Sequence, residues 1–183
     1  MNKGKFIVLS GPSGVGKGTI VANLLASLPI HYSISMTTRS PREGERNGVN
    51  YYFVTKDEFE KQIKQGNLLE YATYNNNYYG TPKDKIEEKL NENISVISEI
   101  EVKGAKQIKK IYPEAILIFI APPSVEELKN RLIGRGTETI DKINERLSIA
   151  EEELKEATFY DYIIVNDDIK DATDKVINII KNS

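Results

Sequence analysis

The sequence predicts an α/β chain in which a parallel sheet is flanked by helices. Three observations lead there. Short apolar runs rich in β-branched residues recur along the chain, amphipathic stretches of helical periodicity fall between them, and a glycine-rich loop, Gly11 to Thr19, joins the first run to the first helical stripe. Such runs read as strands covered on both faces, and each parallel return needs a crossover helix, which the intervening stretches supply.

The elements follow in order. Phe6 to Leu9 is the first strand, and Ile20, Val21, Leu24, Leu25 and Leu28 form the stripe of the first helix. Residues 34 to 81 interrupt the alternation: they are rich in tyrosine and carry Gly44, Gly48, Gly66 and Gly80 around short alternating segments, which marks a small inserted subdomain. Within it Thr55 and Glu58 have capping-box spacing, in which a hydroxyl and a carboxylate satisfy free N–H groups at a helix start. Thr81 before Pro82 marks another start, with proline as the first helical residue, where its missing N–H sacrifices no hydrogen bond. Ile94 to Ile100 and Ala115 to Ile120 are the next strands, and Ser124 with Glu127 repeats the capping-box spacing. Ile140, Ile143, Leu147, Leu154 and Ala157 form a second helical stripe, Tyr162 to Val165 the last strand, and Ala172, Val176, Ile177 and Ile180 the closing helix.

Composition narrows the function. A chain of 183 residues suits one compact unit with room for insertions. With no run near the roughly 20 apolar residues that span a bilayer, and an N-terminal apolar stretch too short for a signal peptide, the expectation is a cytoplasmic protein without a membrane partner. The absence of cysteine excludes thiolate nucleophiles and cysteine zinc sites, and the lone His31 reads as structural. A net charge of −2 lacks the broad basic field of a duplex-DNA binder, so no nucleic acid is expected and any polyanion must be gripped locally. Monomer and homodimer both remain open.

The grip is the segment Gly11, Pro12, Ser13, Gly14, Val15, Gly16, Lys17, Gly18, Thr19, which has P-loop spacing between a strand and a helix. Glycines let backbone N–H groups turn inward into a nest, and the helix N-terminus adds partial positive charge. Lys17 brings a full charge to where the β- and γ-phosphates of ATP would lie. Gly18 stands where many P-loops carry Ser or Thr, so Thr19 is expected to orient magnesium, directly or through water. A P-loop by itself does not choose among GTPases, ATPases and small-molecule kinases.

Downstream motifs choose. Arg39 and Arg42, three residues apart in a proline-containing turn, offer paired guanidinium forks for a second phosphate. The P-loop, Thr37-Thr38-Arg39-Ser40-Pro41-Arg42, Asn47-Gly48, Tyr78-Tyr79-Gly80, Ala121-Pro122-Pro123-Ser124, Arg135-Gly136-Thr137-Glu138 and Val165-Asn166-Asp167 occur in order across nearly the whole chain. In this series the sequence closely resembles the guanylate kinases. The resemblance implies a single domain of the P-loop NTPase type, with a core of residues 1–33, 82–123 and 151–183, a GMP-binding subdomain at 34–81 and a lid at 124–150. It also implies Mg2+-dependent transfer of a phosphoryl group from ATP to GMP or dGMP. Arg39, Arg42, Tyr51 and Tyr79 would hold the GMP phosphate, while Ser35, Glu70 and Thr81 read guanine. The chemistry suits: guanine presents two adjacent donors that an ionised Glu70 accepts together, whereas adenine turns a lone pair toward it. Glu101 stands where related enzymes usually carry Asp, close to guanine or to hydrated magnesium.

Arg131, Arg135 and Arg146 are spaced to converge on one site, and the resemblance makes their segment a lid that closes over ATP. Arg135 and Arg146, with Lys17 and Arg39, are the candidate catalytic charges, stabilising the moving phosphoryl group. Ion pairing with Glu138, Glu145 or Glu151 is the alternative for these arginines. Asn166 and Asp167 would flank the adenine end. No general base is needed, because a phosphate monoester with a second pKa of about 6 is already a dianion at neutral pH. Three other readings are weaker: non-catalytic scaffold modules of similar fold typically lack a working P-loop, a kinase for another phosphorylated sugar or nucleotide would not need the guanine-reading trio Ser35, Glu70 and Thr81, and a switch GTPase would need an Asn-Lys-x-Asp motif that the sequence lacks.

Overall fold

The computed structural model describes residues 4–74, 76–134 and 139–183. Nine strands and seven helices are seen among them: β1 (Phe6–Ser10), α1 (Lys17–Ser27), β2 (Ile30–Tyr32), β3 (Met36–Thr37), β4 (Tyr52–Phe53), α2 (Lys56–Lys64), β5 (Leu68–Tyr74), β6 (Asn77–Pro82), α3 (Lys83–Asn91), β7 (Ser95–Glu99), α4 (Val102–Ile111), β8 (Ile116–Ala121), α5 (Val125–Gly134), α6 (Ile140–Lys155), β9 (Tyr162–Val165) and α7 (Ile169–Asn182). The main sheet runs β2-β7-β1-β8-β9 with every pairing parallel, as the β-branched runs predict. Alternation along β1 divides the core. Phe6 and Val8 face α3 and α4 through Ile86, Ala105 and Ile108, while Ile7 and Leu9 face α1 and α7 through Ile20, Leu24, Ala172 and Val176. No helix among the described residues is long and apolar enough to cross a membrane.

Residues 36–82 form a second sheet, β4-β3-β6-β5, in which β5 and β6 pair antiparallel. The Thr55–Glu58 capping box closes the N-terminus of α2 with both of its reciprocal bonds. At the other end of the chain, α5 and α6 pack on each other through Leu128, Leu132, Ile143 and Ala150, a small cluster separate from the main core.

Four expectations need correction. Pro82 is not the first residue of a helix: it ends β6 and caps α3 from outside, because Thr81 beside it is buried in the second sheet. β9 is not covered on both faces. It is the edge of the sheet, so Tyr162, Ile163 and Val165 are exposed and only Ile164 is buried. Leu25 and Ile140 lie off the buried stripes, Ile140 being 74% exposed at the first position of α6, and Ala157 belongs to a short 3-10 turn after that helix. Of the expected Ser124–Glu127 box, the Ser124 hydroxyl accepts from the Glu127 N–H, while the Glu127 carboxylate is bonded to Arg131.

Candidate active site

Ligands in open parallel sheets sit beyond the carboxyl ends of the strands, where neighbouring connections part to opposite faces. β1 ends there in the P-loop. Gly11, Gly14 and Gly16 have φ of 142°, 93° and 101°, and a methyl group on Gly11 would collide with the Ile120 carbonyl oxygen, so the turn is open only to glycine. Val15 is fully buried beneath the loop, and its carbonyl accepts a 2.7 Å bond from the Asn166 side-chain amide. The Lys17 ammonium folds over the loop, donating to the carbonyls of Gly11 (2.5 Å) and Pro12 (3.0 Å).

Facing the loop is a cavity of about 330 Å3. Gly11, Ser13 and Lys17 form one wall. The opposite wall is α6, which presents Arg146, Ile149 and Glu153 at the spacing of one helical face. Arg146 Nη1 donates to Ser13 Oγ at 3.2 Å, bridging the walls. The floor is Glu99, Ile100 and Glu101, at and just beyond the end of β7. Burial pushes the Glu99 and Glu153 carboxyls above the usual carboxylate range, while the Lys17 charge pulls both back. Tyr32 donates to Glu99 at 3.4 Å.

A second cavity, of about 290 Å3, opens on the far side of the same floor, between β7 and the second sheet. Ser35, Tyr51, Glu70 and Tyr79 line it together with Glu99, Ile100 and Glu101. Strand alternation on β6 sorts the tyrosines: Tyr79 faces the cavity, 6.0 Å from Tyr51, while Tyr78 stacks on Phe59 at 5.1 Å behind the sheet. Glu70 is 8% exposed and accepts a 2.6 Å bond from the Thr81 hydroxyl. Burial pushes its carboxyl up to about 7 against the opposing effect of that bond, with the Glu101 charge adding to the rise. At the rim the Arg39 guanidinium packs against Tyr51 and Phe53, 5.5 and 5.7 Å from their ring centres. It donates to Ser40 O at 2.7 Å and Glu45 Oε1 at 2.9 Å. Glu45 Oε2 accepts from the backbone N–H of Arg42 at 2.7 Å.

A family model described as guanylate kinase matches residues 3–183. The chain is 51% identical over 179 residues to the guanylate kinase of Shouchella clausii, covering 97% of this chain and 87% of that one. With the guanylate kinase of Oceanobacillus iheyensis it shares 52% over 181 residues, 98% of this chain and 88% of the relative. The crystal structure of guanylate kinase from Anaplasma phagocytophilum superposes with a TM-score of 0.78 at 34% identity, over 99% of this chain and 86% of that one. This chain belongs to the guanylate kinase family.

Membership makes it a nucleoside monophosphate kinase. Of the residues that the sequence reading of a guanylate kinase named, Gly11, Ser13, Lys17 and Arg146 line the first cavity, Ser35, Tyr51, Glu70 and Tyr79 the second, and Glu101 both. Other candidates lie elsewhere. Arg131 is paired within α5 to Glu127 at 3.0 Å and lines neither cavity, and its partner is a residue the sequence reading did not name for it. Arg42 is exposed and meets the site through its backbone, while Gly18 and Thr19 are exposed at the start of α1. Asn166 is buried behind the P-loop as a strut, and Asp167 is exposed. Arg135 lies outside the described residues. Sequence reasoning about this guanylate kinase missed Glu45 and Glu153. Glu45 falls three residues after Arg42, close enough for a turn, and Glu153 shares a helical face with Arg146, so spacing offered a signal for each.

Proposed function

We propose that the chain transfers the γ-phosphoryl group of ATP to GMP, giving ADP and GDP, with the P-loop cavity holding ATP and the second-sheet cavity holding GMP. The observation that carries this reading is the shared floor: the two cavities meet over Glu99, Ile100 and Glu101, so a donor and an acceptor phosphate entering from opposite sides converge on one point.

In this reading each group has a role. The P-loop N–H groups and Lys17 grip the β- and γ-phosphates. Arg146, already across the cavity from Lys17, stabilises charge on the transferred group, and Arg135 and Arg131 join it when residues 124–150 close as a lid. Arg39, Arg42, Tyr51 and Tyr79 hold the acceptor phosphate, whose dianion attacks without a general base. Ser35, Glu70 and Thr81 read guanine. Asn166 fixes the P-loop from behind, and Asp167 would flank the adenine end. Among the described residues no group of three or more Asp, Glu, His or Cys side chains could cage a metal, yet Glu99, Glu101 and Glu153 present hard oxygen donors around the phosphate cavity. That donor set would suit Mg2+ arriving with ATP: Glu99, Glu101 and Glu153 are the carboxylates that would hold it, and Thr19, exposed at the start of α1, is the hydroxyl that the sequence reading assigns to it. Bound there, Mg2+ would supply positive charge against the phosphates. Residues 34–81 then act as the GMP-binding unit on a core of 1–33, 82–123 and 151–183.

An ADP-release assay with ATP, Mg2+ and each of GMP, dGMP, AMP, CMP, UMP and dTMP tests the assignment. Turnover is expected with the guanine acceptors; ATP binding without GDP formation from GMP would overturn it.

A further inference from the structure

The acceptor cavity selects its base through one buried carboxylate, so whatever fixes that carboxylate fixes selectivity. Glu70 is held on one side by the Thr81 hydroxyl, 2.6 Å from Oε1. On the other side the first turn of α4 passes directly behind it. A methyl group on Gly104 would lie 2.6 Å from Glu70 Oε2, 3.0 Å from its Cδ and 2.7 Å from Ile100 Cγ2. Gly104 is buried in a helix of ordinary handedness and is not among the glycines of positive φ, so the backbone does not require glycine there. Glycine is a poor helix former, and alanine would be the better choice on local grounds. What alanine lacks is room. A long side chain would usually swing away from an added methyl group, but this one is pinned by Thr81 and enclosed by the core, and the direction left open is the cavity itself.

We propose that Gly104 is a positioning residue for base recognition: by lacking a side chain it leaves the space in which the Glu70 carboxylate lies, with both oxygens available to the paired N1–H and exocyclic amine of guanine. The inference rests on the reading that Glu70 accepts from guanine. Gly104 lines neither cavity and acts in this proposal through its contact with Glu70, its other close neighbour being Ile100.

The test is Gly104→Ala in the full chain, assayed with GMP and with inosine monophosphate, which lacks the exocyclic amine. The KM for GMP is expected to rise roughly tenfold, the KM for ATP to stay within about twofold, and the preference for GMP over inosine monophosphate to fall in step. A rise shared by GMP and ATP, or an unchanged GMP KM, overturns the inference. Glu70→Gln run alongside separates the two readings. If it leaves the GMP KM untouched, the role of Glu70 fails; if it raises that KM and Gly104→Ala does not, only the role of Gly104 fails. A double variant supplies the mechanism and covers misfolding of the single one. In Glu70→Asp the shorter carboxylate withdraws from position 104, so adding Gly104→Ala should leave kinetics close to those of Glu70→Asp alone. A full additive loss, or a double variant that does not fold, places the clash on Ile100 and the helix instead and overturns the proposal.

Discussion

If Glu70 reads the acceptor base as proposed, acceptor binding depends on pH in a definite direction. Its buried carboxyl titrates at about 7, and guanine, which offers two donors, is matched only by the ionised form. The ionised fraction is about nine-tenths at pH ~8 and about one-tenth at pH ~6, so kcat/KM for GMP should fall roughly tenfold across that span. The second ionisation of the GMP phosphate, near about 6, contributes its own limb, and Glu70→Gln isolates it. The amide keeps one acceptor but turns N–H toward a donor, so the variant should lose roughly tenfold to a hundredfold in kcat/KM for GMP at pH ~8, while its remaining pH dependence is that of the phosphate alone. The same group acts on stability with the opposite sign. Its folded pKa is raised above the ordinary 4.5, so the stabilisation is fully present below that value and is lost as pH rises through about 7. The loss amounts to roughly 3 kcal/mol in the ligand-free protein. Steady-state kinetics and thermal unfolding of both proteins across this range decide the matter. Superimposable GMP profiles for the parent and Glu70→Gln would refute the assignment of Glu70 to the base.

Two further substitutions probe the phosphate ends. Lys17→Met should unfold at the parent temperature while kcat falls roughly a hundredfold to a thousandfold if, as proposed, the lost charge serves the transferring phosphate; near-normal turnover would remove Lys17 from the chemistry. Glu45→Gln should raise the KM for GMP roughly threefold to tenfold with the KM for ATP unchanged, because one carboxylate spans Arg39 and the Arg42 N–H; equal shifts for both nucleotides would show a merely structural role.

Local covalent order decided what could be read from the chain. The P-loop was legible because its strand, glycines, lysine and helix are contiguous, and the capping box at Thr55–Glu58 because its bonds span three residues. β1, β7 and β8 were legible as runs buried on both sides. β9 has the same composition, but whether a strand is central or at an edge depends on sheet order, which hydropathy does not encode, and Ile163 is half exposed for that reason. Pro82 misled because a strand ending one residue before a helix leaves the same signature as a helical first turn. In the site, Ser35, Tyr51, Glu70 and Tyr79 came from family likeness. The contacts that give them shape, Thr81 on Glu70, Gly104 behind it and Glu153 across from Lys17, join residues far apart in sequence and have no local pattern.

The partition between the two cavities, Glu99 to Glu101, continues directly from the end of β7, a strand hydrogen-bonded on both sides inside the main sheet. Such a strand is held firmly by its neighbours, so the span between the two cavities is set by the main sheet. Adjustment is left to the outer walls, which hang on other elements. If the cavities hold acceptor and donor as proposed, a new acceptor could be accommodated by recasting the four-stranded sheet while the P-loop cavity keeps its dimensions.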